Sequence, residues 1–145
     1  MVISAMIFRW FSLIALGLAI SSCSAVGIPG STRQFSGVWL YEFEGSSFLE
    51  GATEVPAQRP PYHDTDWLEY SHPEPRLHQL IEGIGYDEGR GCYPVQAIKI
   101  TFIGHRTLRP FGAGHMGLWR SQVTVDRTIT VERIGPAICY GREVG

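Results

Sequence analysis

Apolar and polar positions alternate most regularly in two runs of the C-terminal half. In Ala97-Ile98-Lys99-Ile100-Thr101-Phe102-Ile103, one row holds Ile98, Ile100 and Phe102, and the other holds Ala97, Lys99 and Thr101. From Gln122 to Glu132, Val123, Val125, Ile129 and Val131 fill one row, and Gln122, Thr124, Asp126, Thr128, Thr130 and Glu132 fill the other. A period of two with many β-branched residues predicts strands. Arg127 interrupts the second apolar row, which predicts a bulge, a sheet edge or a carboxylate partner. Between the runs lies Phe111-Gly112-Ala113-Gly114-His115-Met116-Gly117, a glycine-rich connection suited to a turn.

Upstream, Phe35 to Glu44 reads as a strand with Trp39, Tyr41 and Phe43 on one face and Val38 and Leu40 on the other. Apolar residues on both faces predict a central or strongly coiled strand. Gly45-Ser46-Ser47 is a turn or bulge, and Ser47-Phe48-Leu49-Glu50 continues as a second strand. From Gly51 to Pro75, five prolines forbid a long helix or a central strand. Within that stretch Trp67, Leu68 and Tyr70 predict a short strand packed back on the domain. Arg76 to Glu82 predicts a short helix with Leu77, Leu80 and Ile81 on one face, ended by Gly83 and Gly85. Ile134 to Tyr140 returns the chain toward Cys92.

Four or five strands, at most one short helix and many glycines predict an all-β, mainly antiparallel fold. The expected architecture is a small OB-like β-barrel; a two-sheet β-sandwich is the alternative. With 145 residues the expected plan is residues 1–22 as a signal peptide, 23–34 as a flexible tether and 35–145 as one barrel domain.

Hydropathy changes the picture at the N-terminus. Arg9 precedes Trp10 to Ile20, an apolar run with the length of a signal-peptide core and too short to cross a ~30 Å hydrocarbon layer comfortably. Ile20-Ser21-Ser22-Cys23 then resembles the lipobox of bacterial lipoproteins: an aliphatic residue, two small residues and a cysteine. The resemblance implies that Cys23 is acylated and becomes the first residue of the mature chain. Buried acyl CH₂ groups, at ~0.8 kcal/mol each, would hold the domain at a bilayer. Ser24 follows, not aspartate, which implies the outer membrane, with the domain facing the periplasm. The alternative is cleavage after Ala25 and a soluble exported protein. Of the cysteines Cys23, Cys92 and Cys139, assigning the first to lipid leaves an even pair, and an oxidising envelope favours a Cys92–Cys139 disulfide over two buried thiols.

The strand ending in Gly104-His105-Arg106, the Gly112-Ala113-Gly114-His115-Met116-Gly117 turn and the strand with Val123-Thr124-Val125-Asp126-Arg127 resemble a pattern in small, uncharacterised exported proteins of Gram-negative bacteria. The Gly37-Val38-Trp39 and Glu42-Phe43-Glu44-Gly45-Ser46 segments fit the same pattern. The resemblance implies a small β-barrel lipoprotein and no particular activity.

Charge is unevenly placed although the total is only −2. Residues 40–90 carry eleven carboxylates against three arginines, and residues 91–145 carry seven basic residues against three acidic ones. Two solvated faces of one domain, or mutual attraction that helps them dock, account for this in preference to an anionic-ligand site. A near-neutral chain without a basic, aromatic strand face does not suit nucleic acid. No nucleophile elbow, phosphate loop, dinucleotide fingerprint or His-Glu-x-x-His motif occurs. The long irregular stretch and the glycine turn are the expected ligand surface, through His63, Asp64, Asp66, Trp67 and His115. His63, Asp64 and Asp66 also define the alternative, a metal-assisted hydrolase, although their spacing follows no metal-site signature and no metal or cofactor is expected. The preferred reading is a non-catalytic binding or structural module that meets an envelope protein or glycan.

Overall fold

The computed structural model describes residues 28–141. Six strands form one sheet: β1 (Ile28–Pro29), β2 (Arg33–Glu42), β3 (Gly45–Glu50), β4 (Asp66–Tyr70), β5 (Gln96–Leu108) and β6 (Ser121–Arg133), with one helix, α1 (Pro75–Ile81). The sheet order is β1-β5-β2-β3-β4-β6, and β5 also pairs with β6, so five strands close on themselves. Every pairing is antiparallel except β4 with β6. A three-strand meander, a helix, and two further strands of which the last lies parallel to the third give the connectivity of an OB-type barrel. Closure removes the sheet edges that a sandwich would leave.

The core follows from side-chain parity. Phe35, Trp39, Phe48, Leu68, Ile98, Ile100, Phe102, Val123 and Val125 fill the barrel, and Phe35 stacks on Phe102 with ring centroids 5.2 Å apart. β2 is apolar on both faces because its outer face is covered too. Val38 and Leu40 pack there with Val95 and Ala97, and Leu49, Val55, Ile134, Ile138 and Tyr140 lie over them. The returning C-terminal segment thus roofs a second, smaller core. Helix α1 begins at Pro75, an N1 position that needs no donor, and the Glu74 side chain accepts from the Arg76 N–H. It ends before Gly83, whose φ of +78° suits glycine. Leu77 points into the barrel, with Leu80 and Ile81 beside it.

Arg127 does lie in an irregular stretch. The β5–β6 register shifts between Thr101 and Phe102 and again between Ile103 and Gly104, opposite β6 residues 125–130. Two bulges twist the strand and reverse its inward row there. Ile129, expected in the apolar row with Val123 and Val125, is exposed as a result. Gly104 sits at one shift, where any Cβ would overlap the Thr124 carbonyl. The expected tether is also shorter than residues 23–34. Ile28–Pro29 already pairs with Thr107 and Leu108, and β2 begins at Arg33. The signal stretch and Cys23 lie outside the described residues. Cys92 and Cys139 stand at disulfide distance, with Cα atoms 6.1 Å apart.

Candidate functional site

The expected ligand residues divide among three environments. Asp66 opens β4, and its side chain shares the inward parity of Leu68, so it is fully buried. It accepts from Arg106 Nη2 at 2.6 Å, Arg120 Nε at 2.8 Å and Ser121 Oγ at 2.6 Å. Arg106 also reaches Glu50 at 2.8 Å, and Glu50 pairs with Arg33 at 2.7 Å. Burial pushes the Asp66 carboxyl up, but the bonds from Arg120, Ser121 and Arg106 outweigh it and hold the group below its ordinary range. The bond from Arg33 is the largest cause that holds Glu50 low. This chain of charges ties the starts of β2, β4 and β6 to the ends of β3 and β5. It fixes the barrel end and leaves Asp66 with no surface to offer.

His63 and Asp64 sit in a short 3-10 turn, exposed and 3.7 Å apart. They do not join Asp66 in a ligand set. Among the described residues no three His, Cys, Asp or Glu side chains are placed to hold a metal ion.

Trp67 and His115 do come together with the glycine-rich loop. Trp67 points outward from β4, and the β5–β6 loop, Arg109 to Arg120, folds over it. Trp119 drops from this loop to a buried position, donates Nε1–H to Ser47 Oγ at 2.8 Å and meets Trp67 edge-on with centroids 4.7 Å apart. Tyr62 closes the other side at 4.4 Å. Ala113 and Trp119 exchange backbone hydrogen bonds, so the tip is a tight hairpin. At Gly114, φ is +69° and a Cβ would overlap both indoles, so glycine is required twice over. His115 Nε2 stands 4.0 Å from Glu44 Oε2 in the β2–β3 turn. The β3–β4 surface on which OB barrels commonly take ligands is therefore partly filled by this chain's own aromatic residues. A shallow cleft remains, walled by Trp67, Glu69, Arg109, Phe111, Met116 and Gln122.

A third feature lies at the junction of β2, the proline-rich loop and the C-terminal segment. A cavity of about 540 Å³ opens there, within the ~300–1,000 Å³ of small-ligand sites. Phe43, Tyr86 and Tyr93 form a ladder: Phe43 stacks on Tyr93 at 4.8 Å, and Tyr86 meets Tyr93 edge-on at 5.0 Å. These three rings stay 54%, 54% and 48% exposed. Beneath them Glu42, 6% exposed, is paired with Arg59, which also bonds Tyr62 and covers its ring face. Tyr140 completes the wall and donates to the Pro56 carbonyl at 3.0 Å.

Sequence reasoning pointed to the loop after Gly51 and to Trp67 but not to this pocket. Phe43 reads as one more residue of an aromatic strand, and Tyr86 and Tyr93 are distant from it in the chain. The available signal was position: Phe43 falls in the two-residue turn between Glu42 and Gly45, where the strand face no longer dictates burial.

Neither a protein-family model, nor a curated protein, nor a solved structure matches this chain. The fold and the sites together define a class: a closed, five-stranded OB-type barrel with an exposed aromatic pocket and a folded-over β5–β6 loop.

Proposed function

We propose that this protein is a non-catalytic, lipid-anchored module of the cell envelope that binds an envelope glycan in the Phe43–Tyr86–Tyr93 pocket. The anchor is acylated Cys23, supported by the lipobox-like Ile20-Ser21-Ser22-Cys23. The observation that carries the binding reading is the half-exposed aromatic ladder beside a buried carboxylate. Large ring faces left in water at one spot mark a binding surface. Sugar rings present C–H faces that cover such rings, and their hydroxyls suit the Arg59–Glu42 pair, which can donate and accept. OB barrels elsewhere take oligosaccharides, which agrees with the class. The domain would face the periplasm from the outer membrane.

The hydrolase alternative finds no support in the geometry, because Asp66 is engaged by two arginines and a serine, away from His63 and Asp64.

Calorimetric titration of the full mature chain in detergent with soluble peptidoglycan fragments tests the reading. Binding is expected, with Tyr93→Ala weakening it about tenfold, in line with the loss of one aromatic contact. Ile129→Ala, on an exposed strand position, should leave it unchanged. No heat of binding, or equal affinity in both variants, would refute the pocket.

A further inference from the structure

Among the described residues, large apolar side chains exposed to water gather in two places, apart from Ile129. One is the aromatic pocket. The other is the β5–β6 connection, where Leu108, Phe111, Met116 and Leu118 are all exposed, Phe111 and Met116 by 83% and 81%. The hairpin brings Phe111 and Met116 together, since both wall the same cleft and the Gly117 backbone abuts that of Phe111, and Leu108 and Leu118 are their near neighbours in the chain.

The position of this patch relative to the chain's N-terminal end is informative. β1 pairs with the end of β5, Ile28 opposite Leu108 and Pro29 opposite Thr107. The loop begins at the next residue, Arg109. Only Ser24 to Gly27 separate Cys23 from Ile28, so Cys23 lies at most ~18 Å from β1 when extended. An acyl anchor at Cys23 would thus fasten the barrel beside the loop that carries the exposed apolar residues. The charged groups of the loop itself are arginines, which suit anionic lipid, while Glu69 lines the same cleft and Glu44 stands 4.0 Å from His115. Residues 101–121 contain Arg106, Arg109 and Arg120 and no carboxylate. Arg106 and Arg120 are engaged with Asp66, while exposed Arg109 donates to the neutral Gln122 side chain at 2.9 Å.

We infer that the Arg109–Arg120 loop is a second membrane contact: Leu108, Phe111, Met116 and Leu118 dip into the anionic phospholipid surface that holds acylated Cys23, with Arg109 at the headgroups. This inference rests on the anchoring reading and adds an orientation to it. A single attachment at Cys23 leaves a domain free to tumble. An apolar loop beside the attachment turns it into a two-point mount, as when one lipid chain is joined by a protein patch. Tyr93 precedes the start of β5 and Leu108 is its last residue, so the aromatic pocket is built away from the strand end that meets the bilayer.

The test uses the full chain with its acyl groups, in vesicles of phosphatidylethanolamine and phosphatidylglycerol. Nitroxides are placed at Phe111→Cys, Met116→Cys and, as a control, Glu54→Cys, with collision by oxygen and by an aqueous nickel chelate measured by electron paramagnetic resonance. Oxygen-to-nickel accessibility severalfold higher at 111 and 116 than at 54, corresponding to a depth of ~5–10 Å, supports the docking. Arg109→Glu should move both labels toward water. If intact mass shows acyl groups on Cys23 but all three labels stay equally open to nickel, the docking is overturned and the anchor stands. If no acyl mass is present, the anchor fails and the docking falls with it.

Discussion

Asp66 is the residue on which the barrel end depends. Its carboxylate gathers two arginines and a serine from β5, the β5–β6 loop and β6. Asp66→Asn would leave those donors under-satisfied, and chemical denaturation should report a loss of about 3 kcal/mol, the range for breaking a buried pair. The pH dependence has a definite sign. Both Asp66 and Glu50 are held below their ordinary values of 3.8 and 4.5. A carboxyl depressed in the folded state contributes stability above its unfolded value, and that contribution is lost as pH falls through the folded value. Melting temperature should therefore drop as pH passes below these ordinary values, and the acid limb should be shallower in Asp66→Asn. Parallel acid limbs would show that Asp66 is not the group responsible. Its identity as a charged residue of interest was legible in the sequence, but its burial was obscured by His63 and Asp64 just before it. The parity of Asp66 with Leu68 and Tyr70 was the available clue; the arginines that neutralise it lie forty or more residues away.

At the scale of elements, the two returning segments differ in what holds them. The C-terminal segment roofs the small core of Val38, Leu40, Val95 and Ala97 and brings Cys139 to Cys92, which are 47 residues apart in sequence. Closing a loop of that length is worth roughly 4 kcal/mol on the chain-entropy account. Reduction should lower stability by about that amount, read as a shift in the denaturation midpoint, and a Cys92→Ser/Cys139→Ser variant should match the reduced protein. An unchanged midpoint would mean that the pair contributes nothing. The β5–β6 loop is held by packing instead, through Trp119 on Ser47 and Gly114 against Trp67. Gly114→Ala adds a methyl where two indoles lie, at a positive φ, and should cost about 1–3 kcal/mol while red-shifting tryptophan emission. An unshifted emission maximum would show that the loop does not clamp the indoles. The strands themselves were readable because alternation reports which face is covered. The parallel pairing of β4 with β6 was not, because β4 has five residues and its partner lies some fifty positions on. The two bulges left only Arg127 as a trace.

On the scale of the whole molecule, the acidic middle and basic C-terminal part of the sequence are joined by ion pairs. Arg106 and Arg120 meet Glu50 and Asp66, as mutual attraction between the two parts would have it. The same folding leaves two exposed apolar areas, and the account gives each a role: the aromatic ladder for a glycan, the β5–β6 loop for the bilayer. The bilayer role requires that Cys23 carries lipid, and so does the anchored part of the proposed function. The most direct measurement is the intact mass of the protein made in a Gram-negative host, beside Cys23→Ala, before and after reduction. The account predicts a chain beginning at Cys23 with added acyl mass, absent from the variant, and a gain of two protons on reduction from Cys92 and Cys139. A chain that begins at Val26 and carries no acyl mass would contradict the anchored module.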